Sequence, residues 1–214
     1  MKGYILDLDN TLYDENGYLH YVFLEFWEKH NLDKNLFKSI CSQALCDESR
    51  LNSKDIFKTF LNLTPIGYTK HAHDELFEIY TSLDCEINLY EDAKEFLEYL
   101  STKNTPVAIL TNGPIKAQSN KIRNLSLSLP VFYARENGIQ YEKPHPNAFQ
   151  KVLDFFSLPP QECCMIGDHP HTDLHGASQI GITPIWLQRG YTRNMDYTLK
   201  INKISNFNKL KEIL

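Results

Sequence analysis

The order of the predicted elements constrains the fold of this chain more than any other feature of its sequence. Residues 3–8 form a short, mainly apolar run that suits a buried strand and is too brief for a helix. Residues 15–85 then show helical spacing, with apolar and aromatic residues three and four positions apart in four segments. From residue 86 onward, short apolar runs alternate with helical segments. We therefore predict an α/β region that carries an all-helical insert directly after its first strand.

The alternating region predicts a parallel sheet, because strands that are joined by helices run in the same direction. Four further strands are predicted, at residues 106–110, 131–133, 163–166 and 183–187, and a helix over residues 206–214 follows them. The predicted fold class is α/β, with a Rossmann-like parallel sheet, helices on both of its faces, and the helical insert. We place the core at residues 1–14 and 86–214, and the insert at residues 15–85.

Charge and composition argue against several classes of function. The 214 residues carry a net charge of -5 with scattered lysines and arginines, whereas a protein that binds a nucleic acid polymer needs a concentrated positive surface. No apolar stretch approaches the roughly 20 residues that span a membrane, and no signal-like segment begins the chain. The five cysteines fit neither a disulfide framework nor a paired zinc site. We expect a cytoplasmic protein with reduced thiols, monomeric or homodimeric, without a nucleic acid or membrane partner.

Polar side chains stand at the ends of three predicted strands. Asp7 and Asp9 lie at the end of the first strand. Thr111 and Asn112 follow the second, and Asp168 follows the fourth. In open α/β sheets, ligands bind just beyond the carboxyl ends of the strands, so we expect these side chains to converge there.

The carboxylates of Asp7, Asp9 and Asp168 predict a site for Mg²⁺. Neighbouring carboxylates repel one another, and a hard divalent cation with oxygen ligands compensates them. The absence of a cysteine ligand favours magnesium over zinc. For the first two acids alone, a solvent-exposed turn would be the better explanation. The third acid, on another strand, favours the metal site.

Lys143 and the segment after the second predicted strand indicate a site for phosphate. The lysine supplies positive charge, either for a phosphate or for an attacking carboxylate. Thr111 offers a hydroxyl, and Asn112 and Gly113 offer backbone donors where a helix begins. A small-molecule phosphate ester is therefore the expected partner.

These segments resemble the four motifs of the haloacid dehalogenase superfamily, whose commonest members are phosphatases. DLDNTL is similar to the first motif, DxDxT. Thr111 of AILTNG resembles the second motif, and Lys143 of EKPHPNAF resembles the third. GDHPHTD is similar to the fourth motif, GDxxxxD. The motifs cover the predicted core and leave out the insert, whose position resembles the C1 helical cap of subfamily I in this superfamily.

The resemblance implies a role for each matching residue. Asp7 would be the nucleophile that forms an aspartyl-phosphate, and Asp9 the general acid and then base. Mg²⁺ would be bound by the carboxylates of Asp7 and Asp168 and by the main-chain carbonyl of Asp9. Thr111 and Lys143 would hold the phosphoryl oxygens, and Asn112 belongs to the same phosphate site. Asp173 would orient Lys143.

The resemblance implies a magnesium-dependent phosphomonoesterase for a small phosphorylated metabolite. Dehalogenases of the superfamily lack the second aspartate, so Asp9 argues against carbon–halogen cleavage. Two alternatives stay open: a phosphomutase, which shares the same motifs, and a phospho-metabolite binding module with little turnover.

The side chains that select the substrate are expected in the insert, which would act as a lid. Its polar candidates are Tyr18, Tyr21, Arg50, Lys54 and Lys70. Three histidines crowd the fourth motif: His169, His171 and His175. They either alter the metal preference, since imidazole suits transition metals, or are exposed loop residues.

Overall fold

The structure is a computed structural model that describes residues 1–212, which form one parallel sheet of six strands in the order β3-β2-β1-β4-β5-β6. The strands are β1 (Gly3–Leu6), β2 (Val107–Thr111), β3 (Val131–Tyr133), β4 (Cys163–Gly167), β5 (Thr183–Leu187) and β6 (Asn202–Ile204). The chain builds outward from β1 in one direction through β2 and β3. It then returns to the other side of β1 and builds outward through β4, β5 and β6. This reversal places a ligand crevice beyond the carboxyl ends of β1 and its neighbours.

Residues 15–85, the predicted insert, form five helices, one more than the sequence predicts. They are α1 (Glu15–Lys29), α2 (Lys34–Leu45), α3 (Asp47–Asn52), α4 (Ile56–Leu63) and α5 (Lys70–Ser82). The remaining α-helices are α6 (Glu91–Thr102), α7 (Ile115–Asn124), α8 (Pro146–Phe156) and α9 (His175–Gln179). Shorter 3-10 segments occur at Ala134–Asn137, Ile139–Tyr141, Pro160–Glu162, Gly190–Thr192 and Phe207–Glu212, and a π-helical turn at Pro170–Leu174. No helix in the described part of the chain is both long enough and apolar enough to cross a membrane.

Both faces of the sheet are buried, which confirms the predicted helices on both sides. Successive side chains of a strand point to opposite faces. Accordingly, Ile5 packs in one apolar cluster with Phe149 of α8, while Leu6 packs in the other with Leu100 of α6. Strands that are buried on both faces read as continuous apolar runs, as they do here.

The end of the described chain differs from the prediction. Residues 206–214 were expected to form an α-helix, but the structure forms a 3-10 helix over Phe207–Glu212, and residues 213–214 lie outside the described range. A sixth strand, Asn202–Ile204, precedes it and was not predicted. Two of its three residues are exposed polar side chains, so it lacks the apolar run that marks the other strands.

The insert helices pack around aromatic side chains, and both ends of the insert meet at the core. The rings of Phe23 and Phe60 stack with centroids 3.9 Å apart. Where the chain enters and leaves the insert, Tyr13 forms an isolated antiparallel bridge with Leu89, and Tyr90 N donates to Leu12 O at 2.9 Å. Because the two connections run side by side, the chain leaves the sheet region and returns to it at one place. This supports the division into residues 1–14 and 86–214 and residues 15–85, which remains a prediction.

Candidate active site

A cavity of about 210 Å³ opens at the carboxyl ends of β1, β2 and β4, where the strand order reverses. All seven residues predicted for the site line it: Asp7, Asp9, Thr111, Asn112, Lys143, Asp168 and Asp173. The rest of the lining comprises Asn10, Glu15, His169, Thr172 and Tyr191. We call this space the acidic cavity.

Lys143 is the buried positive charge of the acidic cavity. Its Nζ lies 2.5 Å from Asp7 Oδ1 and 2.8 Å from Asp173 Oδ1, and it donates to Leu110 O at 2.8 Å. Burial lowers the pKa of this ammonium, but Asp173 and Asp7 more than reverse that effect and raise the pKa above its usual range. Lys143 is therefore charged, and its three donors are directed at three fixed oxygens.

Asp173 is held in place by contacts at both of its carboxylate oxygens. Oδ1 pairs with Lys143, and Oδ2 accepts from the backbone N–H of His169 at 3.1 Å. A Cβ at position 167 would lie 2.2 Å from Asp173 Oδ2, so only glycine allows Asp173 to approach β4 this closely. These contacts agree with the expectation that Asp173 orients Lys143.

Asp7, Asp168 and Asp173 form a buried group whose carboxylate oxygens lie within 4.8 Å of one another. Burial raises the pKa of Asp7 to about 7, although Lys143 opposes the rise. Burial, followed by the charges of Asp7 and Asp173, raises the pKa of Asp168 well above its usual range. Three carboxylates face one ammonium here, so the group needs further positive charge to be fully ionised.

The residues present fit a divalent metal ion. Both oxygens of Asp173 are engaged, by Lys143 and by the backbone N–H of His169, whereas Lys143 contacts only one oxygen of Asp7. Asp7 and Asp168 are therefore the two carboxylates that can turn toward a cation. Asp168 is fixed from behind, because Thr192 Oγ1 donates to its Oδ2 at 2.9 Å and Trp186 Nε1 donates to its main-chain oxygen at 2.9 Å. An all-oxygen site is what Mg²⁺ prefers, and a deficit of positive charge favours its binding. The contribution of the Asp9 carbonyl remains a prediction.

The side chain of Asp9 is held by three donors that do not contact this group of three carboxylates. Its Oδ1 accepts from Tyr13 Oη at 2.5 Å and from Lys121 Nζ at 2.7 Å, and its Oδ2 accepts from Gln118 Nε2 at 2.8 Å. Asp9 still lines the acidic cavity. Its carboxylate is therefore within the site but held apart from the cation-binding pair, as suits a residue that exchanges protons.

The segment after β2 is used differently from the predicted phosphate cradle. The Asn112 side chain holds the main chain of Lys143, donating to its oxygen at 3.0 Å and accepting from its N–H at 2.9 Å. Gly113 N donates to Glu142 Oε1 at 2.5 Å, so a carboxylate of the protein already occupies this backbone donor. Thr111 lines the cavity as expected, with Oγ1 accepting from Gln118 at 2.8 Å.

The three histidines of the fourth motif are placed differently from one another. His169 lines the acidic cavity and is partly buried, and burial lowers its pKa. His171 and His175 are exposed and do not line that cavity.

A group of charged residues lies behind Asp9, and the sequence analysis named one of them, Arg50, but missed Lys121 and Glu15. Lys121 of α7 contacts Asp9, Tyr80 and Glu15, and Arg50 of α3 pairs with the other oxygen of Glu15. Burial alone would raise the pKa of Glu15, but Arg50 and Lys121 outweigh burial and lower it to about 2. A sequence signal for these buried polar groups was the missing apolar stripe of α7. The face of this helix that is buried carries three polar residues and one alanine.

A second cavity, of about 480 Å³, adjoins the acidic cavity and shares Glu15 and Tyr191 with it. Most of its lining comes from the insert, including apolar Leu19, Ile56, Phe57 and Phe77 and polar Arg50, Ser53, Lys54, Asp55 and His73. Pro114 and Arg135 contribute from the sheet region. We call this space the insert cavity.

Of the five candidates for substrate selection, Arg50 and Lys54 line the insert cavity. Tyr18 is buried between helices, where its hydroxyl donates to Tyr80 O at 2.6 Å. Tyr21 is exposed, and Lys70 pairs with Asp74 on the surface. Helical spacing alone did not distinguish the residues that face the cavity from those that face solvent or the protein interior.

Comparisons with known proteins give a family and a fold. A model of haloacid dehalogenase-like hydrolases matches residues 1–181. The phosphoserine phosphatase of Thermus thermophilus is 34% identical over 105 residues, 48% of this chain and 41% of that protein. The N-acylneuraminate-9-phosphatase of Rattus norvegicus is 25% identical over 209 residues, 88% of this chain and 83% of that protein. YfnB of Bacillus subtilis, solved with magnesium, has a TM-score of 0.72 at 18% identity, over 99% of this chain and 97% of that chain. The match to the Thermus phosphoserine phosphatase spans less than half the length of that protein.

Proposed function

This chain belongs to the haloacid dehalogenase-like hydrolase family. We propose that it is a magnesium-dependent phosphatase, which hydrolyses a small phosphate monoester through a phosphorylated Asp7. One observation carries the proposal. The Lys143 ammonium lies 2.5 Å from Asp7 in a cavity that also presents the Asp168 carboxylate. An attacking carboxylate, a fixed positive charge and an acidic cation site thus lie together. The names of the Thermus and rat relatives, both phosphatases, support the same chemistry.

In the proposed reaction, Asp7 forms the bond to phosphorus and Asp9 transfers the protons. A carboxylate oxygen of Asp7 attacks phosphorus, forming a P–O bond while the bond to the ester oxygen breaks. Asp9 donates a proton to that departing oxygen, so the product leaves as a neutral alcohol. In the second half, Asp9 takes a proton from a water molecule whose oxygen attacks the same phosphorus. Inorganic phosphate leaves, and Asp7 is regenerated as a carboxylate.

The remaining residues of the acidic cavity hold the reacting groups. Lys143 pairs with Asp7 and favours its ionised, attacking form, and it would also attract a phosphoryl oxygen. Thr111 would donate to a phosphoryl oxygen, as would the backbone N–H of Asn112. Asp7 and Asp168 would hold the magnesium ion, which neutralises phosphate charge when it is bound.

The insert, residues 15–85, would be the lid that accepts the rest of the substrate. The insert cavity presents an apolar wall next to the cations Arg50, Lys54 and Arg135 and the acids Glu15 and Asp55. Arg50 is paired with Glu15, Asp55 with His73 and Arg135 with Glu142, whereas Lys54 is exposed at the cavity. A leaving group that combines carbon surface with a negative charge matches this lining. We therefore favour a phosphate ester that also carries a carboxylate.

The alternatives predict different products. A phosphomutase would return an isomeric phosphate ester in place of inorganic phosphate, and a binding module would retain the ester unchanged. Stoichiometric release of alcohol and inorganic phosphate distinguishes hydrolysis from both.

The test is phosphate release from a panel of esters, including phosphoserine, N-acylneuraminate 9-phosphate and neutral sugar phosphates, by the wild-type chain and two variants. Asp7→Asn removes the attacking carboxylate, and Asp33→Asn makes the same change at the N-cap of α2, where asparagine caps equally well. We expect release by wild type and Asp33→Asn, loss in Asp7→Asn, and loss with a chelator that added Mg²⁺ reverses. Turnover retained in Asp7→Asn, or in the chelated enzyme, would contradict the proposal.

A further inference from the structure

Lys121 is a fully buried lysine beside the proposed acid–base residue. It lies on α7 of the core, and its side chain has 0% of its surface exposed. Its Nζ lies 2.7 Å from Asp9 Oδ1, 2.7 Å from Tyr80 Oη and 3.4 Å from Glu15 Oε1. Burial of an ammonium is costly unless it is paired, so a lysine at this position needs these partners.

The charges around Lys121 are arranged so that its strongest partner is Asp9. Glu15 also has Arg50, which binds its Oε2, so Lys121 is not needed to neutralise it alone. The distances agree, since Lys121 is closer to Asp9 than to Glu15. Lys121 is thus a rigidly placed donor for one specific oxygen, Asp9 Oδ1.

Tyr80 fixes Lys121 from the opposite side. The tyrosine belongs to α5 of the insert, and the ammonium also lies 4.7 Å from the centre of its ring. A cation above an aromatic face is attracted to it, and the hydroxyl adds a hydrogen bond. Tyr13 and Gln118 also donate to Asp9. The contact between a core lysine and an insert tyrosine is therefore the part of this arrangement that supplies a fixed positive charge to Asp9.

We propose that Lys121 is a positioning residue, which holds the Asp9 carboxylate in the orientation from which it protonates the leaving oxygen. The proposal rests on the proposed function, because it concerns the acid–base step of that reaction. It adds a residue that lines neither cavity and that touches neither the phosphate nor the cation site.

The chemistry predicts a dependence on the leaving group. An alkyl oxygen is strongly basic and needs a proton as it departs, whereas a dinitrophenolate departs without one. Loss of the correct Asp9 orientation should therefore slow an alkyl phosphate far more than an activated aryl phosphate. A general structural defect would slow both by the same factor.

The experiment compares kcat/KM for an alkyl phosphate, the best substrate of the ester panel above, and for 2,4-dinitrophenyl phosphate, because kcat/KM reports the step in which the leaving oxygen departs. The principal variant is Lys121→Met, which keeps a side chain of similar length and removes the ammonium. We expect kcat/KM to fall by roughly 10–100-fold for the alkyl ester and by less than about 3-fold for the aryl ester. The alkyl loss should lie in kcat, with KM nearly unchanged.

Tyr80→Phe is the second variant, because it removes only the hydroxyl that contacts Lys121. Its matched control is Tyr18→Phe, which removes another hydroxyl between the insert and the core. The Tyr18 hydroxyl contacts the main-chain oxygen of Tyr80 and the side chain of Asn120, and it does not contact Asp9 or Lys121. We expect the ratio of alkyl to aryl kcat/KM to fall by about 2–5-fold in Tyr80→Phe and to stay at the wild-type value in Tyr18→Phe.

The outcomes separate this proposal from the proposed function. Equal losses on both esters in Lys121→Met, an unchanged ratio, or a gain in the alkyl rate would overturn the role of Lys121 and leave the phosphatase intact. If Lys121→Met does not fold, Tyr80→Phe decides, and a ratio equal to that of Tyr18→Phe overturns the proposal. A wild-type chain that hydrolyses neither ester would contradict the proposed function itself.

Discussion

Two walls of the site hold their charges in different ways. We call Asp7, Lys143 and Asp173 the core wall, and Glu15 and Arg50 with the insert residues around them the insert wall. In the core wall, Asp7 and Asp173 meet a single ammonium, Lys143, within 2.8 Å, and each group follows a strand or a helix of the sheet region. In the insert wall, Glu15 meets Arg50 and Lys121 across contacts between separate helices. The core wall lines the acidic cavity of about 210 Å³, while the insert wall borders the larger insert cavity of about 480 Å³.

This difference indicates that the two walls have separate roles in the site. The core wall fixes the atoms that react, so a change there should affect both the reaction and the stability of the fold. The insert wall depends on how helices pack against the sheet, so its lining can change without moving Asp7 or Lys143. Substitutions in the two walls should therefore have effects of different size and kind.

The largest effect is expected for Lys143→Met. It leaves Asp7 and Asp173 buried without their cation, and breaking a buried pair in this way costs about 3–5 kcal/mol. We expect the free energy of unfolding in urea to fall by that amount and kcat to fall by roughly 10³-fold. The control is Lys151→Met, which breaks a surface pair with Glu136 and should cost less than about 1 kcal/mol with turnover unchanged. Equal stability losses in the two variants would refute the contrast between the walls.

A smaller effect is expected from acid acting on Glu15. Its pKa in the folded chain is about 2, below the ordinary value of 4.5, so the carboxylate is favoured by folding. This stabilisation is complete above pH 4.5 and is lost as the pH falls from about 4.5 toward 2, and it amounts to roughly 3 kcal/mol. Unfolding free energies measured across this range should fall less steeply in Glu15→Gln than in the wild-type chain. Parallel pH curves would show that the Arg50 and Lys121 contacts do not stabilise the charged form.

The smallest effect is expected for Lys54→Met in the insert cavity. Removing one exposed cation should lower kcat/KM for a carboxylate-bearing phosphate ester by about 2–5-fold and leave a neutral ester unaffected. Lys58→Met is the control, because Lys58 lies over the Tyr68 ring and does not line the cavity. A selectivity that shifts equally in both variants, or in neither, would argue against a cationic contribution from the insert wall.

The sequence was sufficient for the core wall because each part of it is encoded locally. The strand Thr183–Leu187 was predicted with its observed bounds, since a short apolar run between turn residues has few other interpretations. The acids at the ends of β1 and β4 could be placed together because parallel strands end at one edge. Asn112 shows the limit of such reasoning. Its position was predicted, but its side chain holds the Lys143 main chain.

The sequence was not sufficient for the insert wall, because that wall depends on contacts between residues far apart in the chain. Lys121 and Glu15 are separated by 106 positions, and a lysine in a helix ordinarily indicates a solvated face. Its burial becomes understandable only when the packing of α5 against α7 brings Tyr80 over its ammonium. The strand Asn202–Ile204 was missed for a related reason, since it is an edge strand defined by pairing with β5 and not by its own composition.

The most direct test of the account is the identity of the phosphorylated residue during turnover. The enzyme is mixed rapidly with a phosphate ester and Mg²⁺, quenched in acid, digested and analysed by mass spectrometry for an added phosphoryl group. If Asp7 is the nucleophile, this group is on Asp7, disappears when the ester is consumed, and is absent in Asp7→Asn. A phosphoryl group on any other residue, such as His169, would contradict the proposed mechanism.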